Sequence, residues 1–182
     1  MTSDTSTALL VIDVQASFTQ RPYFSGLGRA EYLAAQNALI AGAQARGWPV
    51  VRVLHISPKG DANDPFALAS GLVRPLDGLM DFDAALTVHK TRHSALVGTG
   101  LDVWLTERGI RRLVVSGIRT EQCCETTTRH ASDLGWQVDF VPDATWTWDH
   151  KGLSAAELRE RTVAVLDERF ARIAGVEDAL AA

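Results

Sequence analysis

Arg112-Leu113-Val114-Val115-Ser116-Gly117-Ile118-Arg119-Thr120-Glu121-Gln122-Cys123-Cys124-Glu125-Thr126-Thr127-Thr128-Arg129 is the stretch that decides the fold. Leu113–Val115 is a β-branched apolar run without alternation, which predicts a strand buried on both faces. Cys124–Leu134 reads as a helix closed by Gly135. The join sets a thiol on the first turn of a helix at the carboxyl end of a strand. Backbone N–H groups and the positive helix end favour a thiolate there and suit an oxyanion. With Thr120 as N-cap, Cys123 takes the third helical position. The competing reading of Cys123 is a small buried hydrophobe. Cys124 is turned one residue around the helix, toward the core.

Further strands are expected at Leu9–Ile12, Pro49–Leu54, Leu86–Val88 and Gln137–Val141, with a short one near Arg172–Ile173. Between them lie helical patterns at Arg29–Arg46, Thr99–Arg108 and Ala155–Arg169. The first carries Leu33, Ala34, Asn37, Ile40 and Ala41 on one stripe. The last opens on Ser154 with Glu157 three residues on, a capping box. Asp13–Gly28 reads as a polar loop. His55–Asp81 reads as a long irregular connection with a short helix at Pro65–Ala69. Strands alternating with helices imply an α/β domain with a parallel sheet covered on both faces, 1–182 as one unit.

A chain of 182 residues, 46% hydrophobic and 22% charged, has the composition of a globular domain. A net charge of −4 and the absence of a basic run argue against nucleic acid, and no apolar stretch reaches membrane-spanning length. Residues 1–7 lack a signal-peptide layout and are expected to be a flexible start, which makes a cytoplasmic protein the default. Adjacent Cys123 and Cys124 are expected as free thiols. Without a His pair at ligand spacing, neither a metal nor a cofactor is expected. Gly26-x-Gly28 and Gly98-x-Gly100 do not follow strands as dinucleotide loops do.

Ligands of such sheets bind beyond the carboxyl ends of the strands. The polar residues expected there are Asp13, His55, Lys90, the Thr120–Cys123 turn and Asp143. Asp13 suits a general base or a structural acceptor; Lys90 suits a partner for that carboxylate or a solvated surface cation. Phe18, Tyr23, Phe24, Trp146 and Trp148 lie in loops after strand ends.

Three ordered motifs carry a resemblance: Leu10-Val11-Ile12-Asp13-Val14-Gln15, Lys90-x-x-x-Ser94-Ala95-Leu96-x-Gly98-Thr99-x-Leu101, and Ser116-Gly117-Ile118-x-Thr120-x-x-Cys123, continuing to Val141-x-Asp143-Ala144. The chain resembles the isochorismatase-like cysteine hydrolases, among them nicotinamidase, N-carbamoylsarcosine amidohydrolase and biuret hydrolase. The resemblance implies a three-layer α/β/α sandwich with a six-stranded, mostly parallel Rossmann-like sheet. It also implies a triad of Asp13, Lys90 and Cys123, with a cis peptide at Ile118–Arg119 and an oxyanion hole from the Arg119 and Cys123 N–H groups. The implied activity is cleavage of a C–N bond in a small amide, carbamoyl or ureido compound through a Cys thioester, by a homo-oligomer.

Gln15, Phe18, Tyr23, Arg119 and Trp148 are the expected substrate contacts. Arg119 stands where such proteins carry a small residue: it either enters the pocket to bind a carboxylate or faces outward at a subunit contact. Relatives of the nicotinamidase type carry Asp-x-His after the second strand; here His55-Ile56-Ser57 replaces it, which argues against a metal. Two alternatives remain: a vinyl ether hydrolase on the same fold, and a non-catalytic thiol redox or binding module. Asp13→Asn, Lys90→Ala and Cys123→Ala are each expected to abolish turnover with little loss of stability.

Overall fold

The computed structural model describes residues 6–181. Six strands, β1 (Thr7–Ile12), β2 (Val50–His55), β3 (Leu86–Lys90), β4 (Arg112–Ile118), β5 (Gln137–Trp146) and β6 (Arg172–Ile173), form one sheet in the order β3-β2-β1-β4-β5-β6. Every neighbouring pair is parallel. The helices are α1 (Arg29–Ala45), α2 (Leu101–Glu107), α3 (Glu125–Asp133), α4 (Ala155–Leu166) and α5 (Val176–Ala181). The chain leaves β1 toward β2 on one side and later returns to β4 on the other. That reversal opens a crevice at the carboxyl ends of β1 and β4, where such sheets bind ligands.

The pleat of β1 shows why the sheet is covered twice. Leu9 and Val11 join the core under α1 and α5 with Leu39, Ile40 and Trp146. Leu10 and Ile12 point the other way, into the core with Leu101, Leu105, Ala131 and Leu166 of α2, α3 and α4. A six-residue strand buried at every position has no solvent face, hence the unbroken apolar run Ala8–Ile12 after Thr7.

Several expected boundaries move. Thr7, placed in the flexible start, begins β1, and Ser6 O accepts from the N–H groups of Arg111 and Arg112. Residues 1–5 of that start lie outside the described residues. The buried face of α1 is Tyr32, Gln36, Leu39, Ile40 and Ala43, whereas Ala34 and Ala41 are exposed. The stripe was offset because Gln36 looks like a surface residue. It is fully buried, donating from Nε2 to Ser116 Oγ (3.1 Å) and accepting at Oε1 from Tyr32 OH (3.3 Å).

The helix expected at Cys124–Leu134 is a π-turn over Thr120–Cys124 leading into α3. Arg119, not Thr120, caps that turn; the Thr120 hydroxyl donates instead to Thr145 Oγ1 (2.9 Å). Residues 16–20 form a 3₁₀ turn inside the expected loop, and only Leu68–Ser70 forms one near the short helix expected at 65–69. α4 stops at Leu166 because the chain becomes extended at Asp167 and left-handed at Glu168. β5 runs five residues beyond its expected end: after an irregularity opposite Val115 and Gly117, Thr145 and Trp146 pair with Gly117 and Ile118.

Gly117 is required by contact as well as conformation. Its φ is 127°, and a Cβ there would lie 2.0 Å from the carbonyl oxygen of Ile12 on the neighbouring strand. Gly117→Ala is therefore expected to lower stability by about 3 kcal/mol or more, read as a fall in the urea midpoint. An unchanged midpoint would contradict this close approach of β1 and β4.

Candidate active site

Asp13 is the first residue after β1 and sits in the left-handed region at φ 53°. Its backbone N–H donates to Val53 O (2.8 Å), and its own carbonyl accepts from Gln15 N (2.8 Å). Together these bonds turn the carboxylate into the crevice. Lys90 is the last residue of β3, two strands away, and Cys123 stands on the π-turn after β4.

The three side chains converge. Lys90 Nζ lies 2.7 Å from Asp13 Oδ2, 3.2 Å from Cys123 Sγ and 3.1 Å from the carbonyl of Arg92. The side chains of both Asp13 and Lys90 are fully buried, so the ion pair is desolvated. Neither oxygen of Asp13 receives a well-aligned hydrogen bond, which leaves the carboxylate short of donors and basic. Its pKa is raised by burial, against the opposing charge of Lys90. Burial works against the Lys90 ammonium too, but Asp13 and Cys123 outweigh it and hold the lysine above its ordinary value.

Cys123 differs from expectation. Burial and the adjacent Asp13 push its thiol up to about 12, despite the counteracting Lys90 charge, so near neutral pH it rests as a thiol. The helix end does not prevail because the sulfur is almost wholly removed from water and faces a carboxylate. Cys124 is fully buried in the core and its pKa is raised further, again by burial.

These shifts carry a sign. A thiol whose folded pKa exceeds its unfolded value, about 8.5, contributes stability that is complete below that value and is lost toward about 12. Stability is thus expected to fall steadily from about pH 8.5 upward, with buried Tyr32 adding to the fall above about pH 10. Urea unfolding across that range should show the slope, reduced in Cys124→Ala. A flat profile would contradict the burial of both thiols.

The crevice is a cavity of 240 Å³ lined by Asp13, Phe18, Arg21, Tyr23, His55, Ser57, Phe66, His93, Gln122 and Cys123. Larger hollows of 420 and 570 Å³ open at the amino ends of β4 and β5, on the opposite edge of the sheet, and contain neither the thiols nor Lys90. Two of the five expected substrate contacts, Phe18 and Tyr23, line the cavity. Gln15 does not: fully buried, it clamps β2 by accepting from His55 N (2.7 Å) and donating to His55 O (3.0 Å). Trp148 stands behind the wall, edge-on to Phe18 and stacked on Tyr23.

Arg119 also lies off the cavity, and neither expected direction for its side chain describes it. Its guanidinium is folded into the protein, pairing with Glu121 (3.0 Å), donating to Thr147 Oγ1 (3.1 Å) and Trp148 O (2.9 Å), and stacking on the Trp148 ring. It is 3% exposed, which removes it from both the pocket and an outer surface. The peptide bond Ile118–Arg119 is cis. Asp143 is exposed and takes no part in the cavity.

Arg21, Ser57, Phe66, His93 and Gln122 are cavity residues that the sequence did not single out. Gln122, Ser57 and His93 fall within quoted stretches and Phe66 within the short helix expected at 65–69, but none of them carries a signal of its own; Arg21 sits in the loop after β1. His55 was expected at its strand end. Its Nδ1 lies 3.1 Å from Lys90 Nζ and accepts from that ammonium, which fixes the proton on Nε2. Burial, then the Lys90 charge, lowers its pKa to about 4, so the ring is neutral. With Nδ1 taken and Ser57 two residues on, this donor set does not fit a metal. Among the described residues no cluster of three or more His, Cys, Asp or Glu is placed to hold one.

A six-stranded parallel sheet with a thiol, a carboxylate and an ammonium gathered at its switch point defines a small-molecule enzyme of the α/β class. The chain belongs to the isochorismatase family: the model of the isochorismatase domain matches residues 7–178. The chain is thus a hydrolase of that family. It is 28% identical to the isochorismatase family protein YrdC of Bacillus subtilis, across 91% of this chain and 90% of that one. The crystal structure of an isochorismatase-type protein from Burkholderia xenovorans superposes with a TM-score of 0.87 at 30% identity, covering 97% of this chain and 86% of the other. The ureidoacrylate amidohydrolase RutB of Variovorax paradoxus is 36% identical over 93 residues, 51% of this chain and 35% of its own. Among the described residues no helix is long and apolar enough to cross a membrane.

Proposed function

We propose that this chain is a metal-independent cysteine amidohydrolase that cleaves the C–N bond of a small amide, carbamoyl or ureido compound. One observation carries the reading: Lys90 Nζ lies within 3.2 Å of both the Asp13 carboxylate and the Cys123 sulfur at the wall of a cavity of small-metabolite size. Similarity to an amidohydrolase supports the choice of bond.

Asp13 accepts the thiol proton as Sγ attacks the carbonyl carbon, and the carbonyl π pair moves to oxygen. The backbone N–H groups of Arg119 and Cys123 hold that oxyanion. Collapse breaks the C–N bond, and Asp13 returns the proton to the departing nitrogen. Water then adds to the thioester with Asp13 as base, and release of the acid restores the thiol. A thiol raised to about 12 is compatible with this sequence because its proton leaves during attack, to a carboxylate whose own pKa burial has raised. Lys90 keeps Asp13 ionised and compensates the charge passing between Asp13 and sulfur.

A screen for ammonia release over small amides, N-carbamoyl amino acids and ureides tests the reading. Release that disappears in Cys123→Ser supports it; hydrolysis unaffected by that change removes it. The vinyl ether alternative needs no cysteine nucleophile and predicts no ammonia from any of these compounds.

A further inference from the structure

Among the described residues, Arg21 is the one arginine that lines the cavity, and it makes no ion pair. It caps the 3₁₀ turn after β1, where its N–H donates to Phe18 O (3.0 Å) and its carbonyl accepts from Phe24 N (2.9 Å). These backbone bonds hold the residue at the cavity wall. Its guanidinium carbon lies over the Phe66 ring, 4.7 Å from the centroid, and Phe66 lines the same cavity. The Nε atom is buried without a hydrogen-bond partner, and among the described residues no carboxylate lies within ion-pair distance of this side chain. The acid that feels its charge, Asp64, is engaged elsewhere, accepting from Phe66 N (3.0 Å) and from Ser57.

An arginine held over an aromatic ring with Nε unpaired is placed for a planar anion, since the ring restrains the guanidinium while its donors stay available. Leaving a buried guanidinium nitrogen unpaired is costly, and a ligand that pairs it recovers the cost. The rest of the lining agrees. Asp13, the only carboxylate on the wall, is neutralised by Lys90; His55 offers a donor at Nε2; and His93 adds a further donor at the rim. Arg21 is thus the one cationic side chain on this wall, among the described residues, without a carboxylate at ion-pair distance.

We propose that the substrate is an amide, carbamoyl or ureido acid: a molecule with the scissile carbonyl at one end and a carboxylate at the other, the carboxylate held by Arg21. This rests on the amidohydrolase reading and gives the site its substrate class. The short span of a 240 Å³ cavity limits the separation of the two ends to a few bonds. The role expected of Arg119 from its place beside the nucleophile turn belongs on this view to Arg21, on the loop after β1.

The test compares isosteric acids and amides. Succinamate and N-carbamoylglycine, with their neutral counterparts succinamide and N-carbamoylglycinamide, are used to protect Cys123 from iodoacetamide, with labelling read by peptide mass. The acids are expected to protect at concentrations at least about tenfold lower than the neutral compounds. Arg21→Gln should abolish that preference and Arg21→Lys should restore part of it, with thermal midpoints confirming that both variants fold. Equal protection by acids and neutral compounds, no protection by any acid, or a preference that survives Arg21→Gln would overturn the proposal. Ammonia release from the same compounds separates the two claims. Turnover of neutral amides without an acid preference removes the anion site and leaves the hydrolase. Acid-selective protection without turnover of any amide leaves Arg21 as an anion site and removes the amidohydrolase reading.

Discussion

Cys123→Ala is expected to lower turnover on the order of 10⁴-fold or more, because it removes the nucleophile that stands beside Lys90 and Asp13. Cys124→Ala separates the adjacent thiols. Cys124 is fully buried in the core cluster that includes Ala131 and Leu166 and does not line the Cys123 cavity, so its loss is expected to cost about 1–2 kcal/mol of stability while turnover persists. Steady-state rates and urea midpoints on the two variants check both halves. The reverse pattern, with Cys124→Ala inactive and Cys123→Ala active, would reassign the nucleophile.

The second large effect is on the buried ion pair. Lys90→Ala and Asp13→Asn are each expected to reduce turnover by on the order of 10³-fold, by removing the cation that keeps the base ionised or the base itself. They are also expected to destabilise the protein, contrary to the expectation from sequence, which treated both as strand-end residues open to a crevice. Both side chains are wholly excluded from water, so removing either leaves its partner as an uncompensated buried charge. Breaking such a pair costs about 3–5 kcal/mol, on the order of 10 °C in melting midpoint for a domain of this size. Asp13→Asn with Lys90→Met should recover part of that loss, because the pair is then absent rather than broken. A double variant as unstable as the sum of the singles would show that the pair contributes no coupling.

Much of the fold could be read because this sheet writes itself plainly. Leu9–Ile12 and Leu113–Val115 are apolar at every position, as strands buried on both faces must be, and each is followed by a polar residue or turn at its carboxyl end. For the same reason Asp13, Lys90 and Cys123 could be gathered before any coordinates: in a parallel sheet, all carboxyl ends of strands lie on one edge. What escaped was set by tertiary pairing. Gln36 is a surface residue type until Ser116 and Tyr32 satisfy it, and that displaced the whole buried face of α1. Arg119 has no sequence signal for the Trp148 ring and the Glu121 carboxylate that absorb its charge. Arg21 lies in a segment without periodicity, and its place on the cavity wall depends on Phe66, some forty-five residues away in another irregular segment. Cys123 joins both of its readings: it stands at the helix end visible in the sequence, and burial beside Asp13, which depends on tertiary packing, raises its thiol.

The central claim is that Cys123 becomes an acyl thioester during turnover. Whole-protein and peptide mass spectrometry on enzyme quenched in acid while hydrolysing an amide identified by the ammonia screen tests it most directly. The account predicts an added acyl mass on the peptide bearing Cys123 and Cys124, labile to hydroxylamine, retained in Cys124→Ala and absent in Cys123→Ala. Hydrolysis by Cys123→Ala at the wild-type rate, or an adduct that requires Cys124 instead, would contradict it.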